Sequence, residues 1–266
     1  MGQYATIRVE TDHRGVATVT MDRPEVRNAF DDTLIAELGK TASDLGQDDG
    51  VRVVVLTGAG RIFSAGADLN WMRSMKDWTF EENVADSTRM NAMFRALYDL
   101  PKPLIGRING HALGGGTGLT AVCDIAIAVE QATFGFTEVV LGLAPAVISP
   151  YVVRKVGRSF ARAAFVTGER FDARRAQAAG LVHEVTDADA LDAAVAAAVD
   201  RCLLAGPAAA AAAKRLPDLA LRPLDEAAAE TVRVIAGLRV SEEGQEGMSA
   251  FFEKRSPSWV PAQSAE

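Results

Sequence analysis

The chain has 266 residues, of which 48% are hydrophobic and 24% are charged, and its formal net charge is −7. This length suits one large domain, or one domain with a small appendage, and the composition is that of a globular protein with a sizeable core. The negative charge argues against nucleic acid or an anionic membrane as a partner held by bulk electrostatics.

Cysteine content and the amino terminus narrow the class of protein further. Cys123 and Cys202 are the only cysteines, so we expect buried thiols, no disulfide framework and no metal site. Residues 1–10 lack the basic start and apolar centre of a signal peptide, and polar residues interrupt the alanine-rich run at 193–213. We therefore expect a cytoplasmic protein with no membrane partner.

Strands and helices are predicted to alternate through the first part of the chain. Residues 16–21 alternate with period two and predict a strand, and Asp31 or Asp32 is placed to cap a following helix that Gly46 ends. The β-branched run 51–56 predicts a strand that is buried on both faces.

Residues 70–83 show no clean period. They mix aromatic side chains with charges and fit either a mobile, partly apolar lid or an amphipathic helix packed on the core. Apolar residues at helical spacing then predict a helix over 90–98, which Pro101 terminates. A strand is predicted over 104–108.

Three consecutive glycines, Gly114 to Gly116, follow that strand. Glycine permits positive φ and lets a ligand approach the backbone, and the first N–H groups of a helix starting here would point outwards at an anion. A tight turn that only permits close packing is the alternative. Because Leu119 follows Gly118, the stretch fits neither a phosphate-binding P-loop nor a dinucleotide fingerprint.

Beyond this stretch the pattern shifts towards helices alone. Residues 124–129 predict a strand, 146–157 a short helix ending at Gly157, and 181–185 one more strand. Further helices are predicted over 159–167, 172–179, 187–204, 207–215 and 223–238. We therefore predict a main α/β body over residues 1–200 and a helical C-terminal region over 201–266.

Two loops rich in small residues, 63–68 and 112–116, each follow a predicted strand. Such loops can direct two backbone N–H groups at one oxygen, which forms an oxyanion hole for a carbonyl that gains negative charge in the transition state.

At these loops the sequence resembles the crotonase (enoyl-CoA hydratase/isomerase) superfamily. The resemblance covers almost the whole chain in the order of the family. Its motifs are Ser64-Ala-Gly-Ala-Asp-Leu69, Gly110-His-Ala-Leu-Gly-Gly-Gly116, Cys123-Asp-Ile125, Phe134-Gly-x-x-Glu138, Leu141-Gly-Leu-x-Pro145, Thr167-Gly-Glu-Arg170, Ala176-x-x-x-Gly-Leu-Val182 and Phe252-Glu-Lys-Arg255.

The resemblance implies an α/β fold, a crotonase-like spiral of ββα units with a C-terminal helical trimerisation region. It implies a homotrimer, or a hexamer made of two trimers, that acts on acyl-CoA thioesters without a further cofactor, since coenzyme A is part of the substrate. The oxyanion donors of the family match the N–H groups of Ala67 and Gly115. The other implied contacts to substrate and CoA are Arg27, Ser64, Ala65, Asp68, Leu69, Gly114, Gly118 and Lys254. A structural loop role for Asp68 and a solvated surface position for Lys254 stay open.

One departure from the family concerns the catalytic carboxylates. Family hydratases usually carry two glutamates, of which the second matches Glu138 while the first would fall at Gly118. A single carboxyl at Glu138 would then deprotonate water as it adds to Cβ and afterwards protonate Cα. Asp68, Glu81 and Glu82 are further candidates to hold the water. His111 flanks the oxyanion loop, where a packing role is favoured over that of a base.

The sequence is most similar to the methylglutaconyl-CoA hydratase-like branch, whose members also lack the first glutamate. Our hypothesis is reversible hydration of the 2,3 double bond of an enoyl-CoA, including a branched one such as 3-methylglutaconyl-CoA. A distal substrate carboxylate could pair with Arg154, Lys155 or Arg73. The alternatives are an enoyl-CoA isomerase or other crotonase chemistry, and a non-catalytic scaffold that binds acyl-CoA or RNA.

Overall fold

The computed structural model of the chain describes residues 4–261. The strands are β1 Ile7–Thr11, β2 Val16–Met21, β3 Val53–Gly58, β4 Leu104–Ile108, β5 Ala112–Leu113, β6 Ile125–Val129, β7 Thr133–Gly135, β8 Arg170–Asp172 and β9 Glu184–Thr186. The α-helices are α1 Asp32–Gln47, α2 Leu69–Ser74, α3 Phe80–Tyr98, α4 Gly115–Val122, α5 Ser149–Thr167, α6 Ala173–Ala178, α7 Leu191–Leu203, α8 Pro207–Ala220, α9 Leu224–Val240 and α10 Glu242–Glu253.

The larger sheet has the strand order β1-β2-β3-β4-β6-β9. Its pairs are parallel except for the edge pair β1 and β2, which is antiparallel. Strand β3 is buried along its whole length, as its β-branched sequence predicts, because helices cover both faces of a parallel sheet. The carboxyl ends of β3 and β4 therefore open at the same edge, where both glycine loops begin.

A smaller sheet, in the order β5-β7-β8, lies beside the first. Strand β5 pairs in parallel with β7, and an isolated parallel bridge joins Ser64 to Ala112 of β5. The polypeptide thus alternates between two sheets and returns by helices, which is the expected spiral of ββα units.

Several predicted boundaries are confirmed and others move. Strand β4 spans the predicted residues, and Asp31 caps α1 by accepting a hydrogen bond from the N–H of Leu34 at 2.8 Å. The prediction that Gly46 ends α1 is wrong, since the helix runs to Gln47. Gly46 instead permits close packing, because an added β-carbon would lie 3.1 Å from the Pro101 ring.

In the later part of the chain, some elements differ from their predicted bounds and one helix is not predicted at all. The predicted strand at 181–185 forms at Glu184–Thr186. Gly157 interrupts α5 with φ of 75° and ψ of 160°, at the position where the predicted helix ends. Helix α10 is not predicted from the sequence, and among its residues only Ala250 is buried.

The segment without a clean period forms short helices. Helix α2 is followed by one 3-10 turn over Met75–Asp77, and α3 begins at Phe80. Trp71 is buried and anchors α2, whereas Phe80 is 78% exposed. The helical interpretation therefore describes this segment.

Within residues 4–261, no single helix is both long and apolar enough to cross a membrane.

Candidate active site

The two glycine loops lie against each other at the carboxyl ends of β3 and β4. The N–H of Ser64 donates to the carbonyl of His111 at 3.1 Å, and the N–H of Leu113 donates to the carbonyl of Ser64 at 3.0 Å. A β-carbon added at Gly66 would lie 2.7 Å from the Leu113 oxygen and 3.4 Å from the Gly115 nitrogen. Only glycine at 66, where φ is 85°, allows this approach.

The local hydrogen bonds direct the Ala67 N–H into this junction. Phe30 forms a parallel bridge with Ala67, in which the N–H of Phe30 donates to Gly66 and the N–H of Asp68 donates to Phe30. Because successive peptide groups of an extended chain point to opposite sides, the N–H of Ala67 points away from Phe30. Within residues 4–261 the N–H of Ala67 has no acceptor, whereas the N–H groups of Phe30 and Asp68 each have one.

The second candidate donor lies in the first turn of α4. Gly114 adopts φ of 51° and ψ of −121° before the helix begins at Gly115, a conformation suited to glycine. In the described part of the chain the N–H of Gly115 also lacks an acceptor, as expected at a helix start. A β-carbon added at Gly115 would lie 2.6 Å from the Phe30 ring, so the backbone here is packed from behind.

Glu138 brings a carboxyl group to the same place. It lies on a 3-10 helix over Thr137–Leu141, immediately after β7. A β-carbon added at Gly114 would lie 3.2 Å from Oε1 of Glu138. Its buried Oε2 finds no hydrogen-bond partner among residues 4–261, and burial raises the pKa of Glu138, which the bond from its own backbone N–H only partly offsets. A buried carboxyl of this kind can exchange protons nearer to neutral pH than an exposed one.

Gly118 lies one turn further along α4 and is enclosed by apolar side chains. A β-carbon at this position would lie 2.4 Å from Cγ2 of Ile148 and 3.2 Å from Cε1 of Phe94. Ile148 is 3% exposed. At the position where the resemblance implies a first glutamate, the chain therefore has a glycine, and an aliphatic side chain occupies the space that a side chain at 118 would take.

The predicted CoA contacts fall around the mouth of the first loop. Arg27 is exposed, and its carbonyl accepts from the N–H of Ala65 at 3.0 Å. Ser64 is fully buried and its hydroxyl donates to the Asn28 carbonyl at 2.8 Å. Leu69 is 69% exposed on the rim.

Lys254 ends α10 in the left-handed conformation and is exposed. The residues that follow dock elsewhere, because Arg52 donates to the Trp259 carbonyl at 2.8 Å. Arg52 precedes the amino end of β3, whereas the glycine loop follows its carboxyl end. Within one chain Lys254 is thus not brought together with Arg27.

The alternative candidates for holding water or acting as a base have structural partners. Asp68 accepts from the N–H groups of Asn70 and Trp71 and so caps α2. Glu82 forms a capping box with Thr79, while Glu81 is exposed. Nδ1 of His111 accepts from the N–H of Thr133 at 3.1 Å, a packing role.

Three residues that support the site are not singled out by the sequence. Asn28 is fully buried at φ of 53°, and its amide donates to the carbonyls of Ala59 and Ile62. Arg23 and Ile148 also contact the elements that carry the donors. Asparagine tolerates positive φ better than most other residues, so an asparagine in this polar loop is the one sequence signal that could have identified the position.

Comparison with known proteins bears on the fold and on the class of enzyme. The enoyl-CoA hydratase/isomerase family matches residues 11–262. The crystal structure of an enoyl-CoA hydratase from Shewanella pealeana is 41% identical, with 97% of each chain covered and a TM-score of 0.91. An enoyl-CoA hydratase structure from Mycobacterium smegmatis is 34% identical, covers 97% of this chain and 100% of its own, and has a TM-score of 0.91. The 2,3-dehydroadipyl-CoA hydratase of Escherichia coli is 36% identical over 250 residues, which are 92% of this chain and 94% of that protein.

These matches confirm the predicted crotonase fold and the predicted class of enzyme: the chain belongs to the enoyl-CoA hydratase/isomerase family.

Proposed function

We propose that the protein is an enoyl-CoA hydratase that adds water reversibly to the 2,3 double bond of its substrate. The observation that carries this proposal is the buried Glu138 carboxyl, without a partner on Oε2 in residues 4–261, next to the turn that presents the Gly115 N–H. The names of the relatives support the same reaction.

In the proposed complex the thioester oxygen accepts hydrogen bonds from the N–H groups of Ala67 and Gly115. Attack of water at Cβ moves electron density onto this oxygen, so donors fixed in the backbone stabilise the developing enolate. Loss of one such donor typically costs about 2.7–4 kcal/mol of barrier. The packing of Gly66 against Gly115 keeps the two loops in register.

Glu138 would perform both proton transfers. As a carboxylate it takes a proton from water while the oxygen bonds to Cβ, and as the resulting acid it returns a proton to Cα. The raised pKa of Glu138 suits both steps, because base and acid are then closer in free energy at neutral pH. Position 118 is a glycine, and Ile148 occupies the space beside it, so the proposed reaction uses no second carboxylate there.

For the acyl group we propose a branched or otherwise apolar Cβ substituent, as in 3-methylglutaconyl-CoA. Ile148 and Phe94, which are almost completely buried, make the surroundings of Gly118 apolar. Of the candidate partners for a distal carboxylate, Arg154 pairs with Asp218 and Lys155 donates to the Cys123 carbonyl at 2.5 Å. Arg73, exposed on α2, is the better placed of the three.

For CoA itself, we propose that Arg27 binds the phosphates and that the backbone of Ala65 and Leu69 contacts the adenine and pantetheine. Ser64, predicted as a further contact, is fully buried, and its N–H and carbonyl bond to the second loop, so it supports the first loop instead. Lys254 would reach the phosphates of a CoA molecule bound to a neighbouring subunit of the assembly.

We also propose a homotrimer or a hexamer. Large apolar side chains are more than 60% exposed on and between α8, α9 and α10, which is unusual for a surface that stays in water. They are Leu221, Leu224, Val232, Val240, Phe251 and Phe252. Sedimentation at several concentrations tests this: a monomer throughout would contradict it.

The activity is tested by loss of the conjugated-enoyl absorbance with crotonyl-CoA and 3-methylglutaconyl-CoA side by side. Faster turnover of the branched thioester supports both the reaction and the proposed substrate. Turnover of crotonyl-CoA alone supports a general hydratase and contradicts the branched substrate. No turnover of either, with thioester binding intact, contradicts the hydratase.

Isomerisation of the double bond is a second candidate. It is favoured because the site has the carboxyl of Glu138 and no second carboxylate at position 118. The two reactions differ in mass balance. Hydration in ¹⁸O-labelled water places the label on Cβ, whereas isomerisation incorporates no solvent oxygen.

A further inference from the structure

The Arg23 side chain joins three groups around the first oxyanion donor. Nη1 of Arg23 donates to the Ala29 carbonyl at 2.6 Å. Nη2 lies 2.9 Å from Oδ2 of Asp31 and 3.2 Å from Oδ2 of Asp68. The Arg23 side chain is 16% exposed, and those of Asp31 and Asp68 are 21% and 7% exposed. Ion pairs shielded to this degree are screened by solvent far less than surface pairs.

These contacts bracket the bridge that orients the Ala67 N–H. Ala29 and Asp31 flank Phe30, and Asp68 directly follows Ala67, so the guanidinium ties both strands of the bridge together. Asp68 is held a second time through its bonds to the N–H groups of α2.

We infer that Arg23 is a positioning residue for the oxyanion hole, which fixes the direction of the Ala67 N–H through Asp68 and Phe30. This inference depends on the proposed function, since it concerns the donor that would bind the thioester oxygen. The planar fork of arginine bonds all three acceptors at once, and a lysine ammonium cannot reproduce that arrangement. A small misplacement of a catalytic group can cost about 100-fold in rate.

The test uses the full-length protein with butyryl-CoA labelled with ¹³C at the thioester carbonyl. This saturated ligand has no double bond to hydrate, so its carbonyl stretch reports polarisation by the oxyanion donors alone. We expect the stretch of the bound ligand to fall in frequency in the wild type, and to lose most of that shift in Arg23→Gln. We expect kcat for crotonyl-CoA to fall by about 10- to 100-fold, with KM changed less than about threefold. Arg23→Lys should restore part of both effects, and it replaces Arg23→Gln if the latter does not fold.

Arg8→Gln is the matched control, because Arg8 pairs with Asp22 at 2.9 Å on the exposed surface and should behave as wild type. A full carbonyl shift in Arg23→Gln, or in Arg23→Lys where Arg23→Gln does not fold, overturns the proposed role of Arg23 whatever the change in stability or rate, and leaves the proposed function standing. If the carbonyl stretch of butyryl-CoA does not shift on binding to the wild-type protein, the oxyanion hole itself is refuted, and the role of Arg23 with it.

Discussion

Replacing Gly118 with alanine tests directly whether Ile148 fills the space beside this position. The new methyl group would lie 2.4 Å from Cγ2 and 3.0 Å from Cβ of Ile148, so side chains must shift. Overpacking of a core typically costs about 1–3 kcal/mol, while alanine in place of glycine inside a helix gains about 1 kcal/mol. We therefore expect Gly118→Ala to lower the free energy of unfolding by up to about 2 kcal/mol.

The same change should have the opposite sign once the isoleucine is shortened. Ile148→Ala alone leaves a cavity and should cost about 2–5 kcal/mol. It also removes Cγ2 and with it the 2.4 Å contact. The methyl group introduced by Gly118→Ala then keeps only contacts of 3.0 Å to the remaining Cβ and 3.2 Å to Cε1 of Phe94, which small shifts relieve, so the helix preference of alanine dominates. In this background Gly118→Ala should stabilise the protein by about 1 kcal/mol, which gives a coupling of about 1–3 kcal/mol between the two positions.

The assay is urea unfolding of the four proteins at one fixed concentration, because assembly makes apparent stability depend on concentration. Gly39→Ala is the control: Gly39 lies within α1, away from the proposed subunit interface, and an added β-carbon would make only ordinary contacts, 3.5 Å or more, with Met93. It should stabilise by about 1 kcal/mol. Equal effects of Gly118→Ala in both backgrounds would refute the packing described for Ile148.

Three further changes probe the carboxyl, its scaffold and the CoA contact. Because the pKa of Glu138 is raised in the folded protein, stability should fall as the pH rises from about 4.5 through that raised pKa. Glu138→Gln should flatten this slope and be the more stable protein at neutral pH in unfolding measured across pH; an unchanged slope would contradict the burial of the charge. Asn28→Ala removes three hydrogen bonds, to Ala59, Ile62 and Arg23, and should lower the free energy of unfolding in urea by about 2–5 kcal/mol. A loss of less than about 1 kcal/mol would show that the first glycine loop does not depend on Asn28. Arg27→Ala should raise KM for crotonyl-CoA by about tenfold through lost phosphate contacts but leave KM for crotonyl-N-acetylcysteamine unchanged; equal changes for both thioesters would exclude a phosphate contact.

The two glycine loops of the proposed oxyanion hole can be predicted from the sequence because their determinants are local. Each loop carries its own glycines directly after a strand, and adjacent parallel strands deliver both loops to one edge. The parts of the spiral that the prediction omits, such as β5 and β7, are two and three residues long, too short for a period to register.

Side chains that act through packing across the fold could not be predicted in the same way. Ile148 is thirty residues beyond Gly118 and belongs to no polar motif, so only the tertiary contact shows what it excludes. Arg23 resembles an ordinary loop charge before a proline, and its burial becomes evident only when Asp68 is brought beside it.

Helix α10 illustrates a different limit. Phe251 and Phe252 are 78% and 77% exposed, so this helix has no apolar face that the rest of the same chain buries. Periodicity predicts helices through a face of apolar residues repeated over several turns, and in α10 the large apolar residues are confined to the carboxyl-terminal half, Met248 to Phe252.

The central claim, that Glu138 carries the proton transfers of hydration, is tested most directly by comparing the wild type with Glu138→Gln on crotonyl-CoA. We expect the wild type to hydrate the thioester and kcat of the variant to fall by about 100-fold or more. Its dissociation constant for butyryl-CoA should stay within about threefold, because the oxyanion donors and CoA contacts are untouched. Unchanged turnover in Glu138→Gln would contradict the assignment.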